Sequence, residues 1–108
     1  MLPEMVKWFR EQYPELATLL VFCERVTRGN RELEKRGTYG GPELILLYPN
    51  NGYSCLCVQV LNYTERNSDQ HKAWRVVAEH AGCKCRTIRD LISFVDAVED
   101  YLINSPYE

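Results

Sequence analysis

At 108 residues the chain has room for one domain around one core. Its 45% apolar and 26% charged residues are ordinary for a globular protein, and no apolar run approaches the roughly 18 residues of a membrane span, which argues against an integral membrane protein. The net charge of −2 hides an asymmetry: residues 1–89 hold all 13 Lys and Arg against 10 acids, whereas residues 90–108 hold five acids and no base. A polyanion therefore meets a favourable charge on the body and an unfavourable one on the last segment. An acidic, solvent-facing helix on a near-neutral body explains the same numbers, so charge alone assigns no partner.

Met1-Leu2-Pro3-Glu4 lacks the basic-then-apolar layout of a signal peptide, which predicts a cytoplasmic protein. The five cysteines are an odd count with no secretory context, and read as reduced thiols.

Residues 3–13 read as a helix. Pro3 suits the first turn, Met5, Val6, Phe9 and Tyr13 share a face, and Pro14 stops it. Thr18 to Cys23 is β-rich enough for a short strand. Asn30 to Arg36 is a polar helical turn closed by Gly37, and Tyr39-Gly40-Gly41-Pro42 breaks the chain.

Two strands follow, Glu43 to Tyr48 and about Tyr53 to Leu61, joined through Pro49-Asn50-Asn51-Gly52. Asn and Gly tolerate the positive φ of tight turns, so this is a hairpin. Leu44-Ile45-Leu46-Leu47 shows no alternation, as in a strand covered on both faces. Asn67 or Ser68 caps a helix to about Ala81, with Gly82 as its stop; Trp74, Val77, Ala78 and Ala81 are the expected buried stripe, and His71, Lys72, Arg75 and Glu79 the outer face. A strand from Cys83 to Ile88 follows. Asp90 then caps a last helix with Leu91, Phe94, Val95, Val98 and Leu102 inward. The Tyr53 strand, the Ser68 helix and the Cys83 strand form a β-α-β unit, whose strands should be parallel neighbours. The fold class is α/β: a small mixed sheet, hairpin plus parallel strand, flanked by helices in a single domain over 1–108.

Several pieces in order carry a family likeness: Trp8-Phe9 with Tyr13-Pro14, Gly41-Pro42-Glu43-Leu44-Ile45, Val58-Gln59-Val60-Leu61, Ser68-Asp69-Gln70 with Trp74, Gly82-Cys83, and Asp100-Tyr101-Leu102. Together they resemble the VRR-type (virus-type replication and repair) branch of the PD-(D/E)xK nucleases over nearly the whole chain. The resemblance implies a restriction-endonuclease-like fold. The family's metal-binding Asp matches Glu43, its second acid Gln59 and its Lys Leu61; of its functional positions only Gln70 is intact. Its Pro-Asn-Gly-Gly stretch is missing before Asn30, and its N-terminal helix acid lies upstream of the Trp, where this chain has barely begun.

Metal-assisted phosphodiester hydrolysis needs carboxylates to hold Mg²⁺ or Mn²⁺ and a group to orient the attacking water. Glu43 as metal ligand reaches further than Asp, Gln59 offers a neutral oxygen, and Leu61 offers no charge. Lys72 and Glu65 are the candidates for rescue, set against plain surface roles. Register is a check: a three-residue loop, Asn50 to Gly52, or a two-residue loop with a bulge, puts Glu43 and Gln59 on one face; a two-residue loop without a bulge separates them. If the site works, Glu43 holds the metal, Gln59 helps position it and Gln70 orients water or phosphate.

Two basic groups are candidate phosphate contacts: Arg25, Arg28, Arg31, Lys35 and Arg36, and Arg66, Lys72 and Arg75. A mixed-charge surface is the alternative, because acids are interspersed in the first group. Cys55-Leu56-Cys57 and Cys83-Lys84-Cys85 each put two thiols on one strand face. Strand pairs are expected to splay too far for one tetrahedral ion, so ordinary packing is the expectation. His71 and His80 are read as surface residues, and Trp8 and Trp74 as core anchors. The resemblance thus implies a DNA-processing protein with weak, altered or absent nuclease activity, acting on DNA (branched DNA among the family's substrates) and dimeric in some relatives. A non-catalytic nucleic-acid-binding or protein-interaction module is the second reading.

Overall fold

Helix α1 spans Leu2–Gln12 and turns Met5 and Phe9, both 0% exposed, into the protein. Its last turn closes with Tyr13 N–H on Phe9 O at 2.8 Å. The computed structural model describes residues 2–23, 41–61 and 69–103. Pro14 has no N–H to continue the α-helix, but its fixed φ suits the first position of a new one. A six-residue 3-10 helix, Pro14–Leu19, starts there. It takes Thr18 and Leu19 out of the expected strand, and β1 shortens to Leu20–Phe22. The expected helical turn at Asn30 to Arg36 lies outside the described residues.

Strand β2, Leu44–Leu46, pairs antiparallel with β1 on one side and with β3, Leu56–Val60, on the other. Helix α2, Asp69–His80, then leads to β4, Lys84–Ile88, which pairs parallel with β3. Helix α3, Leu91–Leu102, completes the chain order. The sheet order is β1-β2-β3-β4, a mixed sheet of the expected kind. Asn67 and Ser68, the expected caps of α2, lie outside the described residues.

One sheet face carries the core. Leu44, Leu46, Leu56, Val58, Val60 and Ile88 meet Met5 and Phe9 of α1 and Phe94, Ala97, Val98 and Tyr101 of α3. Trp8 packs edge-on against Phe94 at 6.0 Å between ring centroids, which makes it the anchor the sequence predicts. Asp90 caps α3, accepting from Ser93 N–H at 2.7 Å. The inward stripe of α3 is turned from the predicted one: Ala97 and Tyr101 are buried, while Val95 is only partly so.

Helix α2 covers the opposite face, and here the predicted stripe is displaced by about 60° of helix rotation, as a three-residue shift requires. His71 and Ala78 are buried and Trp74 and Arg75 half-buried, whereas Val77 is 70% exposed. The cause is the surface beneath: β3 and β4 present Cys57, Gln59, Cys85 and Thr87 to this side, and polar partners draw Arg75 inward. Among the described residues no helix is long and apolar enough to cross a membrane.

Candidate functional site

The hairpin decides whether Glu43 and Gln59 meet. Asn51 and Gly52 take φ of 52° and 84°, both in the left-handed region, and Asn50 and Tyr53 exchange backbone hydrogen bonds at 3.0 and 2.8 Å. This is the two-residue loop with two positive φ angles that matches strand twist. Yet the strands pair Leu46 with Leu56 and Leu44 with Val58. Residues 47–49 therefore face only 54 and 55, so one extra residue is absorbed on the Leu47–Pro49 side. Pro49 brings no N–H to the ladder, which makes that segment a natural place for a bulge. The paired register ends at Leu44 opposite Val58, and Glu43 N–H also bonds Val58 O at 3.0 Å, so the ladder steps out of register just before β2. Of the loop forms expected, the chain uses the two-residue loop with a bulge.

Both side chains are buried, Glu43 at 3% and Gln59 at 0% exposure, and both are engaged. Glu43 Oε2 accepts the N–H of Val60 at 2.7 Å. At this point β2 has not yet begun, so the carboxylate replaces a ladder partner. A charge-assisted bond of this kind fixes the side chain. Gln59 Nε2 donates to His71 O at 3.2 Å, and Thr87 Oγ1 donates to Gln59 Oε1 at 3.1 Å. Arg75 Nη1 in turn donates to Thr87 Oγ1. Gln59 thus bridges β3 to the first turn of α2 and to β4, and Arg75 closes the network. Leu61 is fully buried, and its N–H bonds Ile88 O at 2.9 Å.

Mg²⁺ or Mn²⁺ asks for several oxygen ligands, carboxylates foremost. At this position Glu43 supplies one carboxylate with an oxygen held by Val60, the Gln59 oxygen is held by Thr87, and Leu61 supplies none. Among the described residues this donor set does not fit a hard divalent ion, and no hydrolytic step follows from it. Gln70 and Lys72 lie exposed in the first turn of α2. Arg75, expected on the outer face, instead leans on the sheet through Thr87. Arg25, Arg28, Arg31, Lys35, Arg36, Glu65 and Arg66 lie outside the described residues. His71, expected at the surface, is buried at 8% exposure because its turn of α2 carries the carbonyl that Gln59 holds. Thr87 is the member that sequence reading missed. Its signal was period-2 spacing from Cys85 in a strand parallel to that of Gln59.

Farther along the same face, Cys55, Cys57 and Cys83 bring their sulfurs within 4.8 Å of one another. Cys55 Sγ lies 3.3 Å from Cys83 Sγ and 3.7 Å from Cys57 Sγ. Burial raises the pKa of Cys55 and Cys57, and with Glu79 nearby raises that of Cys85 to about 11, so all three are thiols at neutral pH. The strand pair does not splay as expected, because the side chains of Cys55 and Cys57 lean together.

No family model and no curated protein matches the sequence. Among solved structures, one described as a VRR_NUC domain protein superposes with a TM-score of 0.78 at 12% identity, covering 95% of this chain and 85% of that one. At that identity the likeness shows the fold alone: this chain has the fold of that VRR_NUC domain protein.

Proposed function

We propose that this protein is a nucleic-acid-processing module of nuclease descent, with metal-dependent phosphodiesterase activity that is weak or absent. The observation that carries it is the fate of Glu43 and Gln59. Both side chains are buried and engaged by the fold, Glu43 with Val60 N–H and Gln59 with His71 O and Thr87. Their polar atoms hold the sheet and α2 together. The likeness in fold to a VRR_NUC domain protein supports nucleic acid as the partner, and DNA is the finer form of that reading. The candidate contacts are Arg25, Arg28, Arg31, Lys35, Arg36, Arg66, Lys72 and Arg75. A homodimer on branched DNA is the finer form of this reading.

The test pairs binding with turnover. Fluorescence anisotropy on labelled duplex, single-stranded and branched DNA should give affinity that falls steeply with salt, since each phosphate contact adds about −0.9 to the slope of log K against log salt. The same DNAs incubated with Mg²⁺ or Mn²⁺ should be cut slowly at most. Rapid metal-dependent cutting abolished by Glu43→Ala would refute the weak-or-absent activity and put Glu43, Gln70, Lys72 and Glu65 to work in a rearranged site. Absence of DNA binding beside a stable dimer would favour the second reading, a protein-interaction module. Leu61, apolar and sealed in the interior, is the feature that favours both non-catalytic readings over an active enzyme.

A further inference from the structure

The three clustered thiols are not needed by this reading of Glu43 and Gln59, and their geometry has a use of its own. Cys55 lies just before β3, Cys57 within it, and Cys83 just before β4. Parallel pairing of β3 with β4, which sets Cys57 against Cys85, brings these segments side by side. Two backbone bonds lock them there: Lys84 N–H on Cys55 O at 2.9 Å and Ser54 N–H on Gly82 O at 2.8 Å. The exit from α2 is equally defined. Gly82 at φ 93° donates to Glu79 O, and Cys83 N–H reaches Ala78 O, the paired bonds of a Schellman stop. The cysteines are thus carried on rigid backbone from two strands and a helix cap.

Their spacing matches a tetrahedral thiolate site. With Zn–S bonds of roughly 2.3 Å, neighbouring sulfurs in a regular tetrahedron are about 3.8 Å apart. The observed 3.7 and 3.3 Å, with all three sulfurs inside 4.8 Å, are reached from that figure by small χ adjustments. Lys84 does not compete, because its ammonium sits over the Tyr53 ring, 5.4 Å from the centroid. Soft thiolates select soft ions over Mg²⁺.

We propose that Cys55, Cys57 and Cys83 form a binding site for one thiophilic d¹⁰ cation, Zn²⁺ in the first instance, leaving the fourth coordination position to an exogenous ligand. The site stands apart from Glu43 and Gln59 and does not depend on the functional reading given above. Such a site would clamp the start of β3, the start of β4 and the end of α2 together, so that metal affinity appears as folding stability.

The test uses the full chain, reduced, stripped of metal and titrated with Co²⁺ as a spectroscopic probe for Zn²⁺. One equivalent should bring up thiolate-to-cobalt charge transfer in the near ultraviolet with intense tetrahedral d–d bands, and Zn²⁺ should bleach both. Zn²⁺ should also raise the thermal unfolding midpoint of the wild-type protein. Cys83→Ser, half-buried and the least disruptive change, should weaken Co²⁺ binding by tenfold or more while circular dichroism stays native. Cys23→Ser, beyond β2, should leave it unchanged. Wild-type protein that shows no charge-transfer band and no Zn²⁺-dependent rise in midpoint would overturn the proposal and leave the thiols as packing. So would a band that survives Cys83→Ser intact. Because the wild-type spectrum and midpoint need no variant, a misfolded mutant cannot blur the outcome, and DNA binding or cleavage plays no part in it.

Discussion

Replacing Gln59 by glutamate restores the acid that the family likeness expects and tests what the position now does. The side chain is fully buried, its Nε2 donating to His71 O and its Oε1 accepting from Thr87. A protonated glutamic acid has the same shape, with an O–H to offer His71 O and a carbonyl for Thr87. Ionised, it loses the donor, sets a carboxylate oxygen against a carbonyl oxygen, and places a second acid near Glu43, which accepts the N–H of the following residue, Val60. Desolvation and like charge both raise its folded pKa above the unfolded value of about 4.3. Folding therefore favours the protonated form. The stability of Gln59→Glu is close to wild type below that value and is lost as pH rises towards the folded pKa. Arg75 opposes this, but its guanidinium donates to Thr87, whose hydroxyl in turn donates to Gln59. At about 1.36 kcal/mol per pK unit, a rise of roughly one and a half units costs about 2 kcal/mol by neutral pH. Urea unfolding of both proteins, followed by tryptophan fluorescence from about pH 4 to about pH 8, measures the difference directly. A penalty that stays flat or shrinks with pH would refute the argument, because Arg75 or solvent would then be neutralising the carboxylate. Full rescue at neutral pH by millimolar Mg²⁺ would refute it too, by showing that Glu43 and a restored acid still hold a metal.

Four further outcomes concern α3, three of them at its contact with the hairpin and one at its N-cap. Asn50 and Asn51 each donate through Nδ2 to Tyr101 O at 2.8 Å, so Asn51→Gly, which keeps the positive φ, should cost about 1 kcal/mol in urea unfolding, with Asn50 still in place. Asn51→Ala adds left-handed strain at φ 52° and should cost about 1 kcal/mol more than the glycine variant. Tyr101 donates its hydroxyl to Tyr48 O at 2.6 Å, and burial raises its pKa to about 12, so stability falls as pH rises from the unfolded phenol's value of about 10 towards 12; Tyr101→Phe should flatten part of that alkaline limb in pH-dependent unfolding curves. Asp90→Ala removes the acceptor for Ser93 N–H and should cost about 1 kcal/mol, read as a lower urea midpoint with unchanged slope.

Local chemistry was enough to read a good deal of this protein from its residues. Pro14 ends α1, Asn51-Gly52 makes the hairpin turn, Gly82 stops α2 and Asp90 caps α3, because each acts through its own φ or its own side chain on the nearest backbone. The mixed sheet follows from the hairpin plus the β-α-β unit, and the departures at Glu43, Gln59 and Leu61 were visible as residue types. What remained outside the reach of pattern was any choice that depends on two distant segments. The face that α2 turns inward is one: apolar spacing chose Val77, yet Gln59 and Thr87 on the sheet drew in His71 and Arg75. The bulge at Leu47–Pro49 is another, since Asn51-Gly52 fixes a two-residue loop but only the strand ladder decides which side absorbs the extra residue. The convergence of Cys55, Cys57 and Cys83 is a third. Period-2 spacing placed thiols on a face, but only the parallel register of β3 and β4 could bring their sulfurs together, because it joins residues that lie 28 positions apart in the chain.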